Sequence, residues 1–415
     1  MAGEKAALAP YRVLDLSDEN GQMCGKILAE LGADVIKVEP PGGDQSRSIG
    51  PFYHDEPDPE KSLFWYALNR SKRGITLNIE SAVGREILLR LVRIADFVVE
   101  TVEPGYLDSL GLGYEKLGET NPRIILTSIT PFGQNGPRKD YKASDIVSMA
   151  MGGLMGLCGD EEHPPLRFGV PQAMYLAGSQ AAAGTMIAHY FRQLTGEGQQ
   201  VDVSIQESVV LATYHTQQFW NMHRVLRPRH GKGWDQGPPI GYTELQFPCK
   251  DGYIAGSIGG PSAVPLLKWL AQEGLDEGID DSLKQRDWTK LDSFYIKPEE
   301  RREIEKAVKR LAMRHTGDEL YEEALARRIL WFKVNTPKGI VESPQLKARD
   351  FFQRLDHPEL ADTITYPGAP VWLSETPWQI KSRAPMIGEH NLAVLHEELG
   401  MSRQELAVLK AEGVI

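Results

Sequence analysis

Short apolar runs recur through the first third of the chain, and stretches with helical spacing separate them. The runs are Tyr11–Leu16 (YRVLDL), Asp34–Glu39 (DVIKVE), Gly74–Ile79 (GITLNI), Asp96–Glu100 (DFVVE) and Arg123–Ile129 (RIILTSI). Between the first two, Ile27, Leu28 and Leu31 mark a helix, and Gly32-Ala33 turns the chain back. Strands rich in Val and Ile that alternate with helices build a parallel sheet covered on both faces. Such a sheet takes its ligands at the carboxyl ends of its strands. The expected fold class is therefore α/β.

What lies at those ends excludes some chemistry. The loop after the first run, Ser17–Gly25 (SDENGQMCG), has neither the G-x-G-x-x-G pattern nor a Walker A pattern. Asp18 and Glu19 would also repel a pyrophosphate, which argues against a nicotinamide or nucleoside triphosphate enzyme. The net charge is −11, from 46 basic and 57 acidic residues. A nucleic-acid groove needs a basic surface, so none is expected, although a local basic pocket for one small polyanion stays open.

MAGEKAALAP has no basic n-region followed by an apolar stretch. The longest nearly uncharged segment, Ile146–Gly159, falls short of the ~20 residues of a membrane span. Cys24, Cys158 and Cys249 are odd in number and far apart, with no metal-ligand spacing. They read as buried small hydrophobes. A cytoplasmic protein without membrane attachment is expected.

With 415 residues the chain is long enough for two domains. Ala177–Arg192 (AGSQAAAGTMIAHYFR) is a long helix whose small residues suit close packing. It stops at a glycine-marked turn, and Val201–Ile205 follows as a strand. From about His230 the character changes. Glycines and prolines crowd Gly231–Gly241, Leu245–Ile258 alternates like sheet, and Pro298–Ile329 is charged and helical. These features divide the chain into residues 1–230 with 330–415, and a smaller inserted domain over 231–329. The tail ends in an amphipathic helix, Arg403–Ala411.

Several strings, taken in order, resemble the family III CoA-transferases. They are Val13–Ser17 (VLDLS), Leu31–Glu39 (LGADVIKVE) with Gly43-Asp44, Asn69–Arg73 (NRSKR), Pro104-Gly105 with Leu110–Tyr114 (LGLGY), and Asn121-Pro122. Phe132–Pro137 (FGQNGP), Thr195–Ser204 (TGEGQQVDVS) and Arg383–His390 (RAPMIGEH) complete the set. The resemblance implies a Rossmann-like large domain made from both chain ends, a smaller inserted α+β domain, and two subunits interlocked like links. It also implies a coenzyme A thioester as substrate rather than a tightly bound cofactor. The chemistry needs a carboxylate that attacks the thioester and becomes an acyl anhydride. Backbone N–H groups must stabilise the oxyanions, and a glycine loop must exclude water.

The family's aspartate falls just before the long Ala/Gly helix in a pattern like G-x-P-x-x-D-x-x-x-G. This chain reads Gly169-Val170-Pro171-Gln172-Ala173-Met174-Tyr175-Leu176-Ala177-Gly178, so Met174 takes the nucleophile's place. A thioether cannot form an anhydride. The His-Asp pair of the racemase branch is replaced by Ser144-Asp145, which argues against racemisation. Basic residues that the family commonly places near Pro-Gly and before Leu-Gly-Leu are Glu103 and Ser109 here.

Positions that still suit a CoA cleft are Leu77, Asn78, Thr101, Val102 and Lys142, the last also readable as an ordinary exposed lysine. Gly256–Pro261, with Gly259 and Gly260, resembles the family's mobile active-site loop, or is a plain hairpin or turn. Trp220, Trp234 and Tyr242 either line an acyl pocket or pack. The resemblance implies a heteromer in which a homologous catalytic subunit supplies the aspartate. CoA would move from a donor such as succinyl-CoA to a carboxylic acid, an aromatic succinate such as benzylsuccinate. The alternatives are a homodimeric transferase or isomerase using another carboxylate, such as Asp145 or Glu162, and a non-catalytic acyl-CoA-binding scaffold.

Overall fold

The computed structural model describes residues 6–235, 242–288 and 296–415, with backbone alone at Trp234 and Asp235. The chain forms two compact units. One comprises Met1–Leu154, Phe168–Thr213 and Gln345–Ile415, and the other Met155–Arg167 and Tyr214–Pro344.

The larger unit is built on a six-stranded sheet. Its strands are β1 (Arg12–Asp15), β2 (Asp34–Glu39), β3 (Arg73–Thr76), β4 (Phe97–Glu100), β5 (Ile125–Thr130) and β6 (Gln200–Ser204). They lie in the order β3-β2-β1-β4-β5-β6, and every pairing is parallel. The order reverses between β1 and β4, which opens the crevice where sheets of this kind bind ligands. All five apolar runs of the first third are strands. The third ends at Thr76, earlier than its pattern suggests, because Leu77 and Asn78 turn out of the sheet.

The helices of this unit are α1 (Gln22–Glu30), α2 (Leu63–Asn69), α3 (Ala82–Val92), α4 (Tyr106–Ser109), α5 (Tyr114–Thr120), α6 (Asp145–Met151), α7 (Gln172–Thr195) and α8 (Ile205–Leu211). The small residues of α7 let it lie directly on α1. A Cβ added to Gly178 would stand 2.6 Å from the Met23 Cβ, and one added to Gly25 2.1 Å from the Asp15 carboxylate. Larger side chains would push α7 off α1 at Gly178 and α1 off the end of β1 at Gly25.

Several motif strings serve to pair buried charges. Asp15, fully buried at the end of β1, accepts a hydrogen bond from the Lys72 ammonium at 2.7 Å. Lys72 also donates to Asn69 Oδ1 and to the Gln22 carbonyl, so all three of its protons have acceptors. Lys37 donates to the Ser17 carbonyl and pairs with Asp44. Arg47 grips Glu39 with two nitrogens, and Arg70 binds Glu30. Burial would raise the Asp15 carboxyl, but Lys72 and Lys37 hold it below the usual range.

The smaller unit has an antiparallel sheet of β9 (Gln246–Cys249), β10 (Gly252–Gly256) and β11 (Trp331–Lys333), after a short ribbon of β7 (Gly233–Asp235) and β8 (Tyr242–Glu244). Phe247, Trp269 and Trp331 anchor its core, with Leu266 and Leu311 from two helices. The charged stretch 298–329 is two helices, Pro298–Ala312 and Gly317–Arg327. Thr316 and Glu319 form a capping box that starts the second.

In the tail, β12 (Phe352–His357) and β13 (Asp362–Pro367) make a hairpin in the larger unit, and Arg403–Ala411 is the expected helix. No described helix is long and apolar enough to cross a membrane.

Candidate active site

At the β1/β4 crevice a cleft of 560 Å³ opens over the strand ends. Leu16, Val38, Glu39, Pro40 and Pro41 line one side of the sheet order, and Leu77, Asn78, Ile79, Glu80, Val102, Tyr106 and Gly413 complete it. Leu77, Asn78 and Val102, named from the sequence, therefore meet in one place. The Asn78 N–H donates to the Val414 carbonyl, so the end of the chain returns to support the cleft. Thr101 sits beside Val102, and its hydroxyl oxygen accepts the Asp18 N–H at 2.8 Å. That bond ties the loop after β4 to the loop after β1.

Among the described residues the lining is mainly apolar, with two carboxylates and no lysine or arginine. Glu39 is neutralised by Arg47, and Glu80 accepts the Tyr106 hydroxyl at 2.8 Å. Lys142 lies outside this lining. It is 85% exposed and pairs at 2.7 Å with Glu103, itself 70% exposed. The residue that replaces a basic one thus holds a neighbouring lysine. Ser109 is exposed on α4 and donates to the Tyr106 carbonyl.

Met174 is buried in the first turn of α7. Pro171 precedes that helix and gives it no side-chain cap. The Ala173 N–H instead donates to the Asp145 carboxylate at 2.9 Å, from the start of α6. A carboxylate therefore does stand at this helix terminus, one residue from Met174, where helical N–H groups favour an anion.

In the smaller unit, Gly259 and Gly260 link β10 to the helix Ala263–Gln272. The Gly259 N–H donates to the Ser257 hydroxyl, and Gly260 has a φ of +58°, so the segment is a strand-to-helix turn and not a hairpin. Trp220 is on the surface of the helix Tyr214–His223 under the Arg224 guanidinium, and Tyr242 packs on His230 at 4.4 Å. The Trp234 side chain lies outside the described residues.

One residue at the crevice escaped the sequence reading. Glu100, the last residue of β4, is 3% exposed. One of its oxygens accepts the Val102 N–H at 2.8 Å. A second cavity of 270 Å³ adjoins it, lined also by Val102, Glu103, Asp108, Glu115, Ser128, Gln134 and Gln200. Burial pushes the Glu100 carboxyl up to about 7, opposed by hydrogen bonds from Ser128 and Val102 and aided by Asp18 and Asp108. An acid closing a wholly buried strand was the available signal.

The chain matches the model of CoA-transferase family III over residues 8–391. It belongs to that family. The succinyl-CoA:(R)-benzylsuccinate CoA-transferase subunit BbsE of Thauera aromatica is 36% identical, with 93% of each chain covered. Formyl-CoA:oxalate CoA-transferase of Streptomyces coelicolor is 33% identical over 99% of each chain. Among solved structures, a CAIB/BAIF family protein from Brucella suis superposes with a TM-score of 0.80 at 27% identity, covering 95% of this chain and all of that one. As a family III member this chain is a CoA-transferase family enzyme whose substrates are CoA thioesters, and the expected α/β class holds.

Proposed function

We propose that this chain is the non-catalytic subunit of a heteromeric CoA-transferase, with a homologous subunit carrying the aspartate that accepts the acyl group. CoA moves from a donor such as succinyl-CoA to a carboxylic acid, an aromatic succinate such as benzylsuccinate. The observation that carries the reading is Met174 in the first turn of α7. Its thioether has no carboxylate oxygen, so acylation there would give an unstable sulfonium and not an acyl anhydride. The likeness to a subunit named for benzylsuccinate supports the acceptor.

Leu77, Asn78, Thr101 and Val102 bound what is left of the CoA cleft, and Lys142, once released from Glu103, is a candidate phosphate partner. Gly259 and Gly260 would serve as the loop that shields the intermediate. Ile187, Tyr190, Phe191 and Leu194 form an exposed apolar stripe on α7, and Val371 and Trp372 are exposed on the tail. Such surface favours a tightly associated, interlocked partner.

A second reading is favoured by the Asp145–Ala173 contact: a homomeric enzyme in which Asp145 is the nucleophile. Purified alone, the chain should not exchange CoA between succinate and another acid, and co-expression with the homologous subunit should restore exchange. Met174→Asp alone should give little activity. Glu103→Arg and Ser109→Arg should be needed as well, since two missing charge-assisted contacts weaken CoA binding by roughly two to four powers of ten. Robust turnover by the unmodified chain, abolished by Asp145→Asn, would instead establish the second reading.

A further inference from the structure

The β4 end of the crevice holds a carboxylate that the CoA-transfer reaction does not use. Glu100 is buried, and among the described residues it has no cationic partner. Its oxygen holds the N–H of Val102, two residues on, and Val102 is the residue shared by the 560 Å³ cleft and the 270 Å³ acid-lined cavity. Behind Glu100 polar side chains follow the sheet: Ser128 of β5 stands opposite Glu100 in the strand register, and Gln200 of β6 donates to the Ser128 hydroxyl. In front, Thr101 accepts the Asp18 N–H from the opposite wall. The cleft's β4 lip is therefore fixed at two consecutive residues, once by a hydroxyl and once by a carboxylate.

We propose that Glu100 is a positioning residue of the CoA cleft, which sets the lip at Val102 and couples CoA binding to uptake of a proton. The inference rests on the reading of this cleft as the CoA site. The charged groups around Glu100 are of one sign. Asp18 faces it from the loop after β1, Asp108 from α4, Glu103 from its own loop and Glu115 from α5, while β5 and β6 contribute the uncharged Ser128 and Gln200. The lysines of this region are engaged elsewhere: Lys142 by Glu103 at the surface, Lys72 by Asp15 and Lys37 by Asp44. A bound polyanion in the adjoining cleft adds further negative potential, and a carboxylate in such a field takes up a proton. CoA affinity consequently falls as the pH rises through the range where Glu100 ionises, near 7.

The test is calorimetric titration of the full-length chain with CoA and with dephospho-CoA. Each titration is run from pH 5.5 to 8.5 in buffers of different ionisation enthalpy, which reports protons taken up on binding. Dephospho-CoA removes the ligand's own titrating phosphomonoester from the comparison. Wild type should take up a proton fraction that peaks near pH 7 with both ligands. Glu100→Gln keeps an acceptor for the Val102 N–H, so it should bind within a few-fold of wild type yet show no uptake with dephospho-CoA. Glu100→Ala releases the lip and should weaken CoA about ten- to a hundredfold. Proton uptake by Glu100→Gln equal to wild type, or unaltered CoA affinity in Glu100→Ala, overturns the proposal. Leu77→Trp, which fills the cleft, separates the two failures. If it abolishes binding while the Glu100 variants are silent, only this proposal falls. If it leaves binding untouched, the cleft reading falls and takes the proposal with it.

Discussion

The two halves of the parallel sheet treat buried charge in opposite ways. Around β1, β2 and β3 each buried carboxylate has a cation: Asp15 has Lys72, Glu30 has Arg70, Glu39 has Arg47, and Lys37 answers Asp44. At the end of β4 the buried carboxylate Glu100 has hydrogen bonds but, among the described residues, no counter-charge. Both arrangements keep a carboxylate in the interior. They differ in what a proton can do: a carboxylate locked to an ammonium stays charged over the working pH range, whereas one held by hydroxyl and amide donors in a field of acids changes charge near neutrality. One half is scaffold, and the other can respond to a ligand.

Breaking the scaffold half should cost most. Lys72→Met keeps the length of the side chain but leaves Asp15 buried without its ammonium. Removing one member of a buried pair typically costs about 3–5 kcal/mol. Urea denaturation at pH 7 should show that loss. Adding Asp15→Asn should recover part of it, because the stranded charge is then gone. If Lys72→Met unfolds at the wild-type urea concentration, the pair is not what holds α2 and β1 together.

A smaller effect of opposite sign is expected at Glu100. Its carboxyl is raised to about 7, so the native state binds this proton more tightly than the unfolded chain does. Stability from this group is complete below the ordinary glutamate range and is lost as pH climbs to about 7, then stays level. Glu100→Gln, always neutral, should therefore gain on wild type between pH 5 and pH 8. The gain approaches roughly 3 kcal/mol if the whole shift is realised. Paired melts of the two proteins across that range measure it, and parallel curves would place Glu100 in a far more polar setting than its burial indicates.

The sheet was legible because strands buried on both faces must be apolar throughout, and five such runs stand between helical stretches. Strand ends were less so: Leu77 and Asn78 continue the pattern of β3 but serve the cleft. The purpose of the motif charges was hidden by distance, since Asp15 and Lys72 are 57 residues apart and meet only because β1 and β3 flank β2 in the sheet. Three of the proposed cleft residues, Leu77, Asn78 and Val102, do share one pocket, since strand ends of a switch-point sheet converge. Lys142 shows the opposite case, because a lysine's reach is set by whichever acid is nearest. The β12–β13 hairpin was missed because its strands are half exposed and mostly polar, with no strong alternation.

The smallest effect concerns that lysine. Lys142 and Glu103 form a surface pair in which the hydrogen bond raises the ammonium's affinity for its proton. Exposed pairs of this kind contribute little to stability, so breaking one should leave the melt unchanged. It should, however, alter what the cleft's mouth presents to an anion. Glu103→Gln removes one negative charge and frees one positive charge beside the Thr101–Val102 lip. CoA affinity should then rise about two- to fivefold at low ionic strength, and the gain should fade toward none by about 0.5 M salt, where screening is short-ranged. Lys142→Ala added to Glu103→Gln should cancel most of the gain if the freed ammonium is responsible. Should the double variant bind as tightly as Glu103→Gln, the improvement comes from lifting the acid's repulsion alone, and Lys142 takes no part in holding CoA.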